Sequence, residues 1–150
     1  AGRPCGTVIT ADLGGTTLTP GVYCAAASMG LTGTLTLDAQ NDPNAEFIFQ
    51  VGSTLTTGST SMVRMINGGQ NCNVYWQIGS SATLGTGTRF VGNLLALASI
   101  TLNTGASANA SFDNLKIDFV AATPSAHPYP THLRALCQSC IHGLWALMSL

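Results

Sequence analysis

The 150 residues read as an all-β chain wound into a parallel β-helix, a solenoid in which each coil stacks on the one before. Three observations lead there. Five short runs share a Thr-Leu pair: Thr17-Leu18, Thr36-Leu37, Thr54-Leu55, Thr83-Leu84 and Thr101-Leu102. They begin 19, 18, 29 and 18 residues apart, and a near-constant period of that size marks a repeat architecture. Between them lie short stretches rich in Thr, Val, Ile, Leu and aromatics, closed by Gly, Asn, Asp or Ser turns. Strands at regular spacing also suit a sandwich or a barrel. Hairpin-linked strands, however, run in alternating directions and do not require one Thr-Leu pair at a fixed period.

Taken in order, the elements are these. Residues 1–15 are a Gly-rich lead-in with one strand candidate at Thr7–Thr10. In a strand successive side chains face opposite ways. Inward Leu therefore predicts a spine of Leu18, Leu37, Leu55, Leu84 and Leu102 beneath an exterior ladder of Thr17, Thr36, Thr54, Thr83 and Thr101. Thr57, Thr86 and Thr104, each near a Gly, form a further expected column. Phe49-Gln50-Val51-Gly52-Ser53 is matched by Trp76-Gln77-Ile78-Gly79-Ser80, with Phe47, Phe49, Val74 and Trp76 expected inside. Residues 41–44 and 67–71 read as turns. The long interval holds an extra segment, 62–72, that is either a coil of different shape or a loop on one side.

After Asn109 the period is lost, which divides the chain into a β-helix domain over 1–110 and a divergent tail over 111–150. Residues 131–150 have helical spacing in Leu133, Leu136, Cys137, Cys140, Ile141, Leu144, Trp145 and Met148. The tail is either a cap over the last coil or a foreign terminus.

Charged residues make up 7% of the chain, against about 25% in ordinary soluble domains. With net charge −1 there is no electrostatic footprint for nucleic acid or an anionic membrane, and no run of 18 apolar residues to span a bilayer. Ala1 is not an initiator methionine, so a mature form or a fragment is expected, and no signal peptide is visible. Cys5 and Cys24 lie one repeat apart, so neighbouring coils can bring them together as a disulfide, which argues for an oxidising compartment.

Candidate chemistry is sparse. Cys137-Gln138-Ser139-Cys140 beside His132 and His142 is a single CxxC and reads better as one helix face than as a metal site. Asp12, Asp38, Asp42 and Glu46 sit in or beside turns with no recurring basic partner, so no carboxylate pair for glycosidic chemistry is expected. Neither an enzyme nor a cofactor is predicted. What remains is a regular array of hydroxyls and methyls almost free of charge.

Several stretches resemble the microbial ice-binding protein family of snow-mould fungi, sea-ice algae and cold-adapted bacteria. They are residues 18–23, 31–40, 47–50, 67–77 and 79–86, and the run from Phe90 through Gly105. The resemblance covers about residues 1–109. It implies a discontinuous right-handed β-helix of triangular section with a long helix along one side, secretion, and adsorption of a monomer to ice without a cofactor. Thr36, Thr54, Thr57, Thr83, Thr86, Thr101 and Thr104 are then the candidate ice-binding residues. The family's first coil and long helix precede the segment matched here, and Ser107–Phe112 stands where its last coil follows another pattern. The alternative function is a structural or adhesive cell-surface solenoid without ice activity.

Overall fold

The computed structural model describes residues 3–109, 112–113 and 117–119, with side chains over 3–108. Three parallel sheets enclose one core. Sheet I holds β1 (Thr7–Val8), β3 (Gly21–Ala25), β6 (Phe47–Val51), β9 (Val74–Ile78), β12 (Asn93–Ala96) and β15 (Phe112–Asp113). Sheet II holds β4 (Met29–Leu31), β7 (Leu55–Thr57), β10 (Ser81–Leu84), β13 (Ser99–Leu102) and β16 (Ile117–Phe119). Sheet III holds β2 (Thr17–Leu18), β5 (Thr34–Asp38), β8 (Met62–Ile66), β11 (Arg89–Val91) and β14 (Ser107–Asn109). The chain visits the sheets in the order I, II, III, coil after coil, so every neighbouring strand belongs to an adjacent coil. This is the expected β-helix.

The core follows from strand alternation. Every second side chain of a strand points inward, and those positions carry Leu, Phe, Val, Ile and Trp. Tyr23, Phe49, Trp76 and Leu94 share one register in sheet I. Their rings stack: Phe49 lies 3.8 Å from Trp76 at 8° between planes, and Tyr23 lies 5.4 Å from Phe49. Phe47, Phe49, Val74 and Trp76 are fully buried, as the sequence predicts.

The Thr-Leu repeat divides between two sheets. Thr17-Leu18 and Thr36-Leu37 pair in sheet III. Thr83-Leu84 and Thr101-Leu102 pair in sheet II, where Leu55 also lies. The 18-residue step from Thr36 to Thr54 thus passes from one sheet to another and is not a coil. In sheet I the true repeats are longer early in the chain: Tyr23, Phe49, Trp76 and Leu94 are 26, 27 and 18 residues apart. The extra length sits where sheet III returns to sheet I. Residues 39–46 and 67–73 form wide turns, with Gln40, Asn41 and Asn67 in the left-handed region that Asn tolerates. Met62–Ile66 of the extra segment is strand β8, and Asn71–Asn73 is a short 3-10 turn.

β15 and β16 carry the parallel pairing past residue 110, the boundary suggested by the loss of the turn pattern. Phe112 takes the register of Leu94, and Ile117 and Phe119 take those of Ile100 and Leu102. The predicted helix at 131–150 and the Cys137-Gln138-Ser139-Cys140 motif lie outside the described residues.

Cys5 and Cys24 form a disulfide with Cα atoms 5.9 Å apart. It ties the lead-in to β3, helped by an ion pair between Arg3 and Glu46 at 2.8 Å. Closing a loop of this size restricts the unfolded chain by about 3 kcal/mol. Reduction, or Cys5→Ser with Cys24→Ser, is expected to lower unfolding free energy by about that amount. Urea titration with and without reductant checks it, and an unchanged midpoint would contradict it.

Candidate functional site

The outer faces of the three sheets differ in charge. Sheet III presents Arg64 and Arg89, both exposed, and Asp38. Sheet I has outward Val22, Ile48, Tyr75 and Leu95 with Gln50 and Gln77, and Arg3 and Glu46 flank it. In sheet II the outward residues of β7, β10 and β13 are uncharged, while the Asp12 carboxylate lies against Gly30 of β4 and Asp118 of β16 takes the register of Thr101.

Two outward columns cross sheet II. One runs through Gly30, Thr56, Thr83 and Thr101. The other, two residues earlier on each coil, holds Ser28, Thr54, Ser81 and Ser99. Beneath them Met29, Leu55, Ala82 and Ile100 are buried, as are Leu31, Thr57, Leu84 and Leu102 on the far side of each outward Thr. Strands spaced by about 4.8 Å, and outward residues by about 6.7 Å along each strand, make a nearly rectangular grid. Hydroxyl pairs hold the second column in place: Thr54 Oγ1 donates to Ser28 Oγ at 2.8 Å, and Ser99 Oγ donates to Ser81 Oγ at 2.9 Å.

At the N-terminal end Asp12 closes the sheet. Its Oδ1 accepts the amides of Gly14 at 2.7 Å and Thr32 at 2.8 Å, and Thr32 Oγ1 donates to Oδ2 at 3.1 Å. Partial burial works against its ionisation, but these three bonds outweigh it and hold the carboxyl below its usual value. Asp38, on sheet III, is lowered by the amide of Gln40 and then by the side chain of Asn67. A depressed carboxyl contributes stability that is present above its unfolded pKa and is lost as pH falls through the lower folded value. Stability should therefore drop below about pH 4. Asp12→Asn together with Asp38→Asn should flatten that drop in a urea series across pH, and an unaltered slope would count against both contacts.

The sequence-predicted residues are placed unevenly. Thr83 and Thr101 stand in one outward column of sheet II, half-exposed. Thr54 precedes β7 and belongs to the neighbouring column, because Ala82 is opposite Leu55 and Thr83 is opposite Thr56. Thr36 is on sheet III, buried, with Arg64 Nη2 donating to its Oγ1 at 3.5 Å. Thr57 is not outward at all. It is 3% exposed, shares a hydrogen bond with Thr88 Oγ1 at 2.8 Å and accepts the Gly85 amide at 2.8 Å. Strand alternation is the reason: with Leu55 inward, Thr57 must be inward too. Thr86 and Thr104 are exposed at the corner between sheets II and III. Thr56, Ser28, Ser81 and Ser99 were missed. The Phe49/Trp76 match could have found Thr56 and Ser81, since it aligns Thr54 with Ser81 and Thr56 with Thr83.

A parallel β-solenoid with one sheet face of hydroxyls and methyls is the class of protein these features define. The Ice-binding-like family model matches residues 1–114, and the chain belongs to that family. It is 66% identical over 94 residues to an ice-binding protein of Nostoc sp. (strain HG1), covering 63% of this chain and 35% of that one. It is 42% identical over 118 residues to ice-binding protein 1 of Shewanella frigidimarina (strain NCIMB 400), covering 75% and 13%. The chain thus spans little more than a third of the first relative and a smaller part of the second. Among solved structures, an ice binding protein from an Antarctic biological consortium superposes with a TM-score of 0.75 at 40% identity, covering 79% of this chain and 56% of that one. The ice-binding protein of the Antarctic ascomycete Antarctomyces psychrotrophicus does so with a TM-score of 0.68 at 36% identity, covering 77% and 61%.

Proposed function

We propose that this chain adsorbs to ice through the outer face of sheet II and so inhibits ice growth and recrystallisation. The observation that carries the reading is the uncharged grid of Thr56, Thr83, Thr101, Thr54, Ser81 and Ser99 on adjacent coils. Methyl groups order water into cages, and hydroxyls and exposed backbone groups hydrogen-bond to it. The ordered layer then joins the crystal. Each contact is weak, but the grid is held by parallel ladders and a buried Leu layer, so little freedom is lost on binding. A charged side chain would hold its own hydration shell and break the layer. Sheet III, with Arg64, Arg89 and Asp38, is disfavoured for that reason, and sheet I lacks a comparable hydroxyl column.

That the relatives and the matching solved structures are ice-binding proteins supports ice as the ligand. Among the described residues no cluster of His, Cys, Asp or Glu could hold a metal ion. The partner in this reading is the ice crystal surface. The Cys5–Cys24 disulfide supports work outside the cell, since such bonds persist in oxidising compartments.

The test is ice recrystallisation inhibition at micromolar concentration, with circular dichroism on the same sample. Inhibition with a β-type spectrum is expected. A folded sample without inhibition would overturn the proposal.

A further inference from the structure

Five coils turn the corner from sheet II to sheet III, and each uses one residue in the left-handed region. Four of those residues are glycine: Gly15 at φ 74°, Gly33 at 98°, Gly87 at 69° and Gly105 at 70°. The fifth is Thr60 at φ 57°. A β-branched residue there is a true outlier, because its Cβ crowds the backbone. Gly87 shows that the neighbouring coil makes the same corner without the strain. The hydrogen bonds are equivalent: Thr60 N donates to Thr86 O at 2.7 Å, and Gly87 N donates to Thr104 O at 3.0 Å. No hydrogen bond to another coil requires the side chain. Thr60 is exposed, and its hydroxyl donates only to the adjacent Ser59 carbonyl at 2.7 Å.

Its position supplies a reason. That hydroxyl bond leaves the methyl standing over the glycine of the next coil, where a Cβ on Gly87 would lie 3.5 Å from it. Exposed Thr86 and Thr104 lie along the same corner, one coil apart. Strain that persists where a glycine would relieve it points to use outside the fold.

We infer that Thr60, with Thr86 and Thr104, forms a corner ledge that continues the ice-contacting grid beyond the edge of sheet II, with the Thr60 methyl as its first ordered-water contact. This rests on the ice-binding reading of sheet II. Stability and activity then respond in opposite directions to one change.

The experiment compares wild type, Thr60→Gly, Thr60→Asn and Thr83→Tyr in recrystallisation inhibition and thermal unfolding. Thr60→Gly should raise the unfolding midpoint by roughly 2–6 °C, since the strain is removed. It should also need about threefold more protein for equal inhibition. Thr60→Asn, whose side chain tolerates this backbone but has no methyl, should behave alike. Either variant with wild-type inhibition, or a Thr60→Gly midpoint that falls, overturns the ledge. Wild type and Thr83→Tyr report on sheet II separately: an inactive folded wild type defeats the underlying reading, whereas an active one with unaffected Thr60 variants defeats the ledge alone.

Discussion

Thr83→Tyr is expected to remove ice activity while leaving the β-type spectrum and the unfolding midpoint close to those of wild type. Thr83 lies opposite Thr56 on one side and Thr101 on the other, so it occupies the middle of the outward Thr column of sheet II. A phenol ring there stands above its neighbours and lifts the whole plane from a flat crystal. Because adsorption depends on simultaneous contacts, the loss exceeds the one residue changed, and at least about a tenfold fall in activity follows. The fold should tolerate the change. The position is half-exposed, Tyr is a good strand residue, and surface substitutions of this kind stay within about 0.5 kcal/mol. Arg89→Tyr on the outer face of sheet III is the matched control and should keep full inhibition. Full activity in a folded Thr83→Tyr would reject sheet II as the ice-contacting face.

Because strand alternation turns such patterns directly into a core, the repeat architecture, the inward Leu and the aromatic pairs were legible in the chain, although the coil length was not. Leu37, Leu55 and Leu84 are all fully buried, as that pattern requires. The assignment of residues to one face was not legible from the Thr-Leu pair alone. A solenoid with three sheets offers three equivalent outward directions, and a Thr-Leu pair fits any strand of any of them. Thr36 and Thr54 therefore looked like steps of one ladder although a corner separates them. A finer signal was present. Phe49 and Trp76 are 27 residues apart, whereas Thr54 and Thr83 are 29 apart. The two-residue difference says that Thr54 and Thr83 cannot share a register. The wide turns at 39–46 and 67–73 obscured it, since loop length between sheets III and I is free to vary and carries no periodic information. The corner residue Thr60 was also hidden. A backbone in the left-handed region leaves no trace in a Thr, whereas Gly87 and Gly105 announce theirs.

Trp76→Ala is expected to have the largest effect on stability of any single change. The indole is wholly buried, stacked on Phe49 at 3.8 Å and tilted against Phe90 at 4.9 Å. Its Nε1 donates to Val91 O at 3.0 Å, which ties the sheet I wall to β11 across the core. Removing it opens a cavity costing about 3–5 kcal/mol, and leaves the Val91 carbonyl without that donor at a further cost of about 1 kcal/mol. Against a total stability of about 5–15 kcal/mol for a domain, that is a large share. Trp76→Phe keeps the stack and should lose far less, so the pair separates ring packing from the hydrogen bond. Urea unfolding followed by circular dichroism measures both, and a cost below about 1 kcal/mol for Trp76→Ala would contradict the enclosed stack. The consequence reaches the ice-contacting face. In a solenoid each coil is supported chiefly by its neighbours. Phe49 and Trp76 belong to the coils that carry Thr56 and Thr83. A cavity between those coils loosens the spacing of the Thr column, so Trp76→Ala should lose ice activity at temperatures where its strands still persist.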